Sequence, residues 1–138
     1  MLNAGVRLSL VMADLDHFKL LNDTYGHETG DRALRSFAQL LQQAVRENDF
    51  VCRYGGEEFV VVFPGIDSAG AQPIIERLVL NLSEAVQAGE VPSFTVSAGM
   101  SDSALADEFG EVIRQADEAM FRAKQTGRAR IVLAASSN

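Results

Sequence analysis

Apolar and polar positions along this chain alternate between two periods. Leu8-Ser9-Leu10-Val11-Met12-Ala13 is an apolar run of strand length, and it ends at Asp14-Leu15-Asp16. Asp16 is placed to cap a short helix running to about Tyr25. Leu34, Phe37, Ala38, Leu41, Ala44 and Val45 then recur at helical spacing. Thr29 or Asp31 is the expected cap of that helix, and its end is expected near Asn48-Asp49. Phe50 to Tyr54 reads as a short strand. Phe59 to Phe63, aromatic and β-branched, reads as a buried central one. Gly55-Gly56 between them predicts a β-hairpin tip. Ser68 opens a helix whose apolar face runs from Ala71 through Ile75, Leu78 and Leu82 to Val86, stopped by Gly89. Pro73 places its regular part from about that residue onward. Phe94 to Gly99 alternates and predicts a strand with one wet face, followed by a polar loop from Ser101 to Asp107. Phe109, Val112, Ala116, Met120 and Ala123 mark a last long helix, with Gly127 at its end. Ile131 to Leu133 is a short final strand. Five strands and three long helices around a hairpin predict an α+β domain, with helices on a mainly antiparallel sheet.

Composition narrows this picture. At 138 residues, 47% hydrophobic and 22% charged, the chain reads as one folded domain over 7–133. Residues 1–6 carry no pattern and 134–138 read as a flexible tail. No apolar run approaches the ~20 residues that span a bilayer, and no signal-peptide pattern opens the chain, so a cytoplasmic place without membrane contact is expected. The net charge of -7 argues against a nucleic-acid surface. It also requires that a phosphate-rich ligand be met by local cations or a metal. The single cysteine, Cys52, is expected to be a small core residue.

The candidate chemistry is acidic. Glu57 and Glu58 sit on the rim of the central strand, where carboxylates are costly to desolvate without a cation or donor. Successive strand residues face opposite ways, so both can face one site only if the hairpin end is irregular. Asp14 ends another apolar strand. If the two strands are neighbours, their carboxylates offer hard oxygen ligands to Mg²⁺. Taken alone, Asp14 reads equally as a turn or capping aspartate, and the glutamates as solvated loop residues.

Three blocks together resemble the GGDEF family of diguanylate cyclases. They are Arg53-Tyr54-Gly55-Gly56-Glu57-Glu58-Phe59; Asp14-Leu15-Asp16-His17-Phe18-Lys19 with Asn22-Asp23-Thr24-Tyr25-Gly26-His27 and Gly30-Asp31; and Ala116-Asp117-Glu118-Ala119-Met120-Phe121-Arg122-Ala123-Lys124 with Gly127-Arg128. Glu57 stands where the family name has Asp, making this a GGEEF variant. The resemblance implies a palm-like, ferredoxin-related sheet. It also implies condensation of two GTP into cyclic di-GMP across a homodimer of domains, each holding one GTP. By the same resemblance, Asp14, Glu57 and the backbone carbonyl of Leu15 hold Mg²⁺ or Mn²⁺, and Glu58 is the adjacent catalytic carboxylate. Asn22 and Asp31 read guanine. Phe18, Lys19, Gly55, Gly56, Lys124 and Arg128 contact the rest of the substrate.

Arg46-Glu47-Asn48-Asp49 matches the family's RxxD inhibitory site for cyclic di-GMP, with Arg77 as a secondary arginine. Its residue types suit that ligand, since Arg forks onto phosphate or guanine and Asp accepts from guanine. Family members usually carry an Asp-x-Leu-Thr-x-Leu-x-Asn-Arg block upstream and a sensory domain before it. Neither pattern occurs in this sequence. Two rival readings stay open: a catalytically silent receptor for GTP or cyclic di-GMP, and another palm-type purine cyclase.

Overall fold

A computed structural model describes residues 7–104 and 108–134. The unpatterned 1–6, the end of the expected loop at 105–107 and the tail from 135 onward lie outside the described residues. Along the chain run β1 (Leu8–Leu15), α1 (Phe18–Tyr25), α2 (His27–Ala44), β2 (Phe50–Arg53), β3 (Glu58–Pro64), α3 (Ser68–Gln87), β4 (Val96–Asp102), α4 (Phe109–Gln125) and β5 (Ile131–Leu133). One five-stranded sheet has the order β2-β3-β1-β4-β5. Its pairs are antiparallel except β4 with β5, which is parallel. That pair needs a crossover, and α4 supplies it.

The central strand divides the core by residue parity. Val11, Ala13 and Leu15 face a cluster built with Phe37 and Leu41 of α2 and Ile75, Leu78 and Leu82 of α3. Leu10 and Met12 face the other way, toward Val112, Ala116 and Met120 of α4. Phe37 meets Phe59 edge-on, ring centroids 5.1 Å apart. Asp14 continues the even series, which puts its side chain on the α4 side of the sheet. Gly99 lets α4 settle there. A Cβ on it would lie 2.1 Å from the Ala116 carbonyl oxygen and 2.2 Å from the Met120 nitrogen. This close approach brings Lys124, one turn past Met120, within reach of Asp14.

Several sequence expectations are corrected. Asp16 does not cap α1. His17 holds that position in a left-handed conformation, φ 55°, without a side-chain cap bond. Thr29 and Asp31 lie inside α2, which already starts at His27 after Gly26. The α2 helix stops at Ala44, because Val45 is extended. The α3 helix begins at Ser68, ahead of Pro73, with the Asp67 carboxylate accepting from the Gly70 N–H at 2.9 Å. Strand β4 has no wet face. All seven residues are buried, and Ser101 and Asp102, expected in a loop, belong to it. Its polar positions are satisfied: Ser97 donates to Asp16 at 2.6 Å, Ser101 donates to the Val112 carbonyl at 2.5 Å, and Asp102 accepts from the Ser68 and Ala104 N–H groups at 2.8 and 3.0 Å. Cys52 is exposed. It sits on the edge strand β2, while α4 packs on β1, β4 and β5. Ala134, expected to begin the tail, donates to the Met100 carbonyl at 2.7 Å.

Candidate active site

The site forms where β1, the β2–β3 hairpin and the end of α4 meet. Asp14 is inside β1 and 4% exposed, and its register partners are Glu58 on β3 and Ser97 on β4. Two carboxylates thus stand directly across a ladder, an arrangement that costs stability unless a cation intervenes. Glu57 lies just before β3, in the irregular turn the sequence required. Its carbonyl accepts from the Leu15 N–H at 3.2 Å, which draws the hairpin against the end of β1. The turn closes through the Glu58 carbonyl, which accepts from Tyr54 at 2.7 Å and Gly55 at 3.3 Å. The Arg53 guanidinium reaches the Gly55 and Gly56 carbonyls at 3.3 and 3.1 Å. A Cβ on Gly55 would sit 3.2 Å from the Glu58 Oε1, so the bare backbone keeps that carboxylate in place.

All three carboxyls are pushed above the ordinary range. Burial is the main cause for Asp14, opposed by the hydrogen bond and charge of Lys124 and reinforced by Asp16. Burial leads again for Glu57, joined by repulsion from Asp14 and Glu58. For Glu58 the repulsion adding to burial comes from Asp14 and Asp117. The Lys124 Nζ donates to the Asp14 Oδ2, an ion pair carried from α4 to β1. One ammonium, that of Lys124, acts on all three carboxyls.

A cleft of about 210 Å³ opens beside them. Its walls include Asp14, Leu15, Asp16 and Glu57, Phe18 and Lys19 at the start of α1, Lys124 in the last turn of α4 and Arg128 just beyond it. The cleft therefore has acidic and basic sides. Arg128 follows Gly127 with φ 63°, a left-handed conformation unusual for a non-glycine residue. Asp16 steadies this turn, a role sequence reasoning missed. Its buried carboxylate accepts from the Thr95 hydroxyl at 2.7 Å, the Ser97 hydroxyl at 2.6 Å and the Ala129 N–H at 3.0 Å. The Thr95-x-Ser97 alternation could have signalled a buried acceptor.

A metal fits by donor chemistry. Asp14 and Glu57 offer hard oxygens with elevated proton affinity, and a cationic group already sits at Asp14. Among the described residues no three His, Cys, Asp or Glu side chains converge as a ligand set.

Other sequence-selected residues lie elsewhere. Asn22 on α1 and Asp31 on α2 do not line the cleft; Asp31 is exposed, and Asn22 turns its amide toward Gly30. Arg46 and Asp49 close on each other. The guanidinium holds the carboxylate in a fork at 2.7 to 3.1 Å, and also donates to the Pro64 carbonyl at 2.8 Å. Asp49 further accepts from the Arg46 backbone N–H at 2.7 Å. Arg77 is exposed on α3 and, among the described residues, makes no hydrogen bond or ion pair with either. Pro64 and Glu58 are the two ends of β3, about 20 Å apart at strand rise, so the pair sits well away from the acidic rim.

A sheet ordered β2-β3-β1-β4-β5, with a buried aspartate on its central strand beside a Gly-Gly hairpin, defines a palm-like α+β domain. The chain belongs to the GGDEF family: residues 2–130 match the family described as "Diguanylate cyclase, GGDEF domain". It is 40% identical over 133 residues to the response regulator PleD of Caulobacter vibrioides, covering 93% of this chain and 29% of that protein. It is likewise 40% identical over 133 residues to the diguanylate cyclase DgcP of Pseudomonas aeruginosa, covering 94% and 20%. This chain thus spans less than a third of these relatives. Among solved structures, it resembles the GGDEF domain of DgcB from Caulobacter crescentus in complex with c-di-GMP. The TM-score is 0.85 at 32% identity, covering 95% of this chain and 80% of that one. The active GGEEF domain of a Vibrio cholerae diguanylate cyclase gives 0.81 at 28%, covering 95% and 85%.

Proposed function

We propose that this domain is the catalytic unit of a diguanylate cyclase, converting two GTP into cyclic di-GMP and two pyrophosphates. The observation that carries this reading is the buried Asp14 opposite Glu58 and beside Glu57, with Lys124 paired to Asp14. In each half-reaction a ribose 3′-hydroxyl forms a bond to the α-phosphorus of the other nucleotide and pyrophosphate leaves. Charge builds on the phosphate oxygens and on the leaving group, so catalysis is largely positioning and electrostatics. Lys124, Arg128 and Lys19 are the cations available to the triphosphate. Phe18 supports the turn beneath it, and the bare backbone of Gly55 and Gly56 admits the nucleotide. A divalent cation, Mg²⁺ or Mn²⁺, would be held by Asp14, Glu57 and the Leu15 carbonyl, and supplies Lewis-acid stabilisation of the phosphates. Glu58 shares the negative field that recruits it. Asn22 and Asp31 read the guanine edge, the carboxylate accepting from its N–H donors.

One cleft holds one GTP, so two domains must face each other and turnover rises more steeply than linearly with protein concentration. Product inhibition at Arg46 and Asp49, with Arg77 assisting, belongs to this reading. The ligand there must compete with the Arg46–Asp49 ion pair or use the guanidinium edge it leaves open. The test is incubation with GTP and Mg²⁺, then chromatographic separation of products, with ATP as the comparison substrate. Cyclic di-GMP from GTP alone is expected. A different product, or equal use of ATP, overturns the proposal.

A further inference from the structure

Gly30 is buried within α2, in regular helix, where glycine is a poor choice by roughly 1 kcal/mol against alanine. Its backbone does not require glycine, because it is absent from the positive-φ positions of the chain. The surroundings do. A Cβ there would lie 1.7 Å from the Asn22 Oδ1, 2.7 Å from its Cγ and 3.3 Å from its Nδ2. The Asn22 amide occupies the volume a side chain would fill. Its Oδ1 is buried and has no hydrogen-bond partner. An orphaned buried acceptor costs about 1–3 kcal/mol, so this fold accepts a cost to seat the Asn22 Oδ1 inward, in the angle between α1 and α2, which leaves Nδ2 as the atom of that amide able to face a ligand.

We propose that Gly30 is a specificity-determining positioning residue: by leaving its Cβ volume empty, it seats the Asn22 Oδ1 inward and so turns the amide N–H donors outward, where they can donate to a carbonyl on the edge of a planar base. This rests on the assignment of Asn22 to base reading. Gly30 itself touches no ligand. Any side chain at 30 displaces the Oδ1 and turns the amide out of this orientation, so the donors no longer point at the base, while α2 keeps or gains helix propensity. The Asn22 and Gly30 substitutions therefore act through one group and are non-additive.

The experiment is a double-mutant cycle on the whole chain with Gly30→Ala, Asn22→Ala and the pair. It reads GTP and ATP affinity by calorimetry, with Mg²⁺ present. Each single variant is expected to lose about tenfold in GTP affinity, the ATP affinity to change little, and the double variant to be no weaker than either single. Losses that multiply in the double variant overturn the proposal. The Asn22 side-chain amide resonance is followed in parallel in ¹⁵N-labelled wild type and Gly30→Ala. A displaced resonance with backbone resonances of the β-sheet unmoved is expected, and an unmoved one refutes the contact. If wild type fails to prefer GTP over ATP, the base-reading role of Asn22 fails, while the resonance shift still decides whether Gly30 positions its amide.

Discussion

Two charged regions at opposite ends of β3 are built on opposite principles. At the Glu58 end, three carboxylates share one lysine, and each has its pKa pushed up. At the Pro64 end, Arg46 and Asp49 neutralise each other, with two hydrogen-bonding edges engaged and a backbone carbonyl added. In the first region burial and mutual repulsion outweigh the single lysine for all three carboxyls. The second is complete without a ligand. The contrast separates a site where binding relieves a cost from one where binding must first displace a satisfied pair.

The largest expected effect comes from removing one rim charge. Glu57→Gln should lower cyclic di-GMP formation by about 10²-fold or more, the scale of losing a key electrostatic contact in a transition state. Arg46→Ala should leave the initial, product-free rate within about twofold of wild type. Rates measured side by side test this difference. If both variants lose activity equally, the two ends are not independent.

The second effect is on stability. A carboxyl whose folded pKa lies above its unfolded value holds more protons in the native state. Its contribution to stability is therefore lost as pH rises from about 4, the unfolded value, through the raised folded one. Asp14, Glu57 and Glu58 all have this sign. Metal-free Glu57→Gln should therefore melt higher than wild type at neutral pH, and the difference should shrink in acid. Thermal melts across pH in a chelator check it; a lower melting temperature at neutral pH would mean that Glu57 is stabilised by its neighbours.

Base reading comes third. Asp31→Ala should weaken GTP binding by about 1–3 kcal/mol, the cost of leaving donors unpaired, and reduce discrimination against ATP. A competition titration with unchanged preference would remove Asp31 from the site. The smallest effect sharpens the comparison from the other side. Arg46→Ala should cost about 1 kcal/mol of stability or less, as exposed ion pairs do, yet abolish most binding of cyclic di-GMP. Glu57→Gln should keep that binding. Equal product binding by wild type and Arg46→Ala in calorimetry would exclude the inhibitory assignment.

The sheet and its helices were legible because parity and helical spacing are strong where one face is buried. Leu10 to Leu15 and the α4 stripe are clear cases. The wet face assigned to β4 failed because serine marks polarity without marking exposure. Ser97 and Ser101 are buried with hydroxyl partners. Cys52 failed for the opposite reason: a cysteine inside a strand suggests a small core residue, but β2 is an edge that α4 does not cover. At the site, Asp14, Glu57 and Lys124 were found through block spacing, since no local pattern links residues 110 positions apart. Asp16 was misassigned because a carboxylate before a helix is the usual cap signal. The donors that claim it come from β4 and the turn after α4, a tertiary arrangement no local rule contains. Gly30 was quoted only as part of a motif, because the collision it avoids requires coordinates.

On the proposed function, the rim is a cation site held in waiting. Its most direct measurement is thermal unfolding of the chain with and without millimolar Mg²⁺ at neutral pH, for wild type and Glu57→Gln, without nucleotide. Binding to the native state alone raises the melting temperature by mass action. Wild type should rise with Mg²⁺ and Glu57→Gln should not. The same rise in both would contradict the account, because the cation would then be held somewhere other than between Asp14 and Glu57.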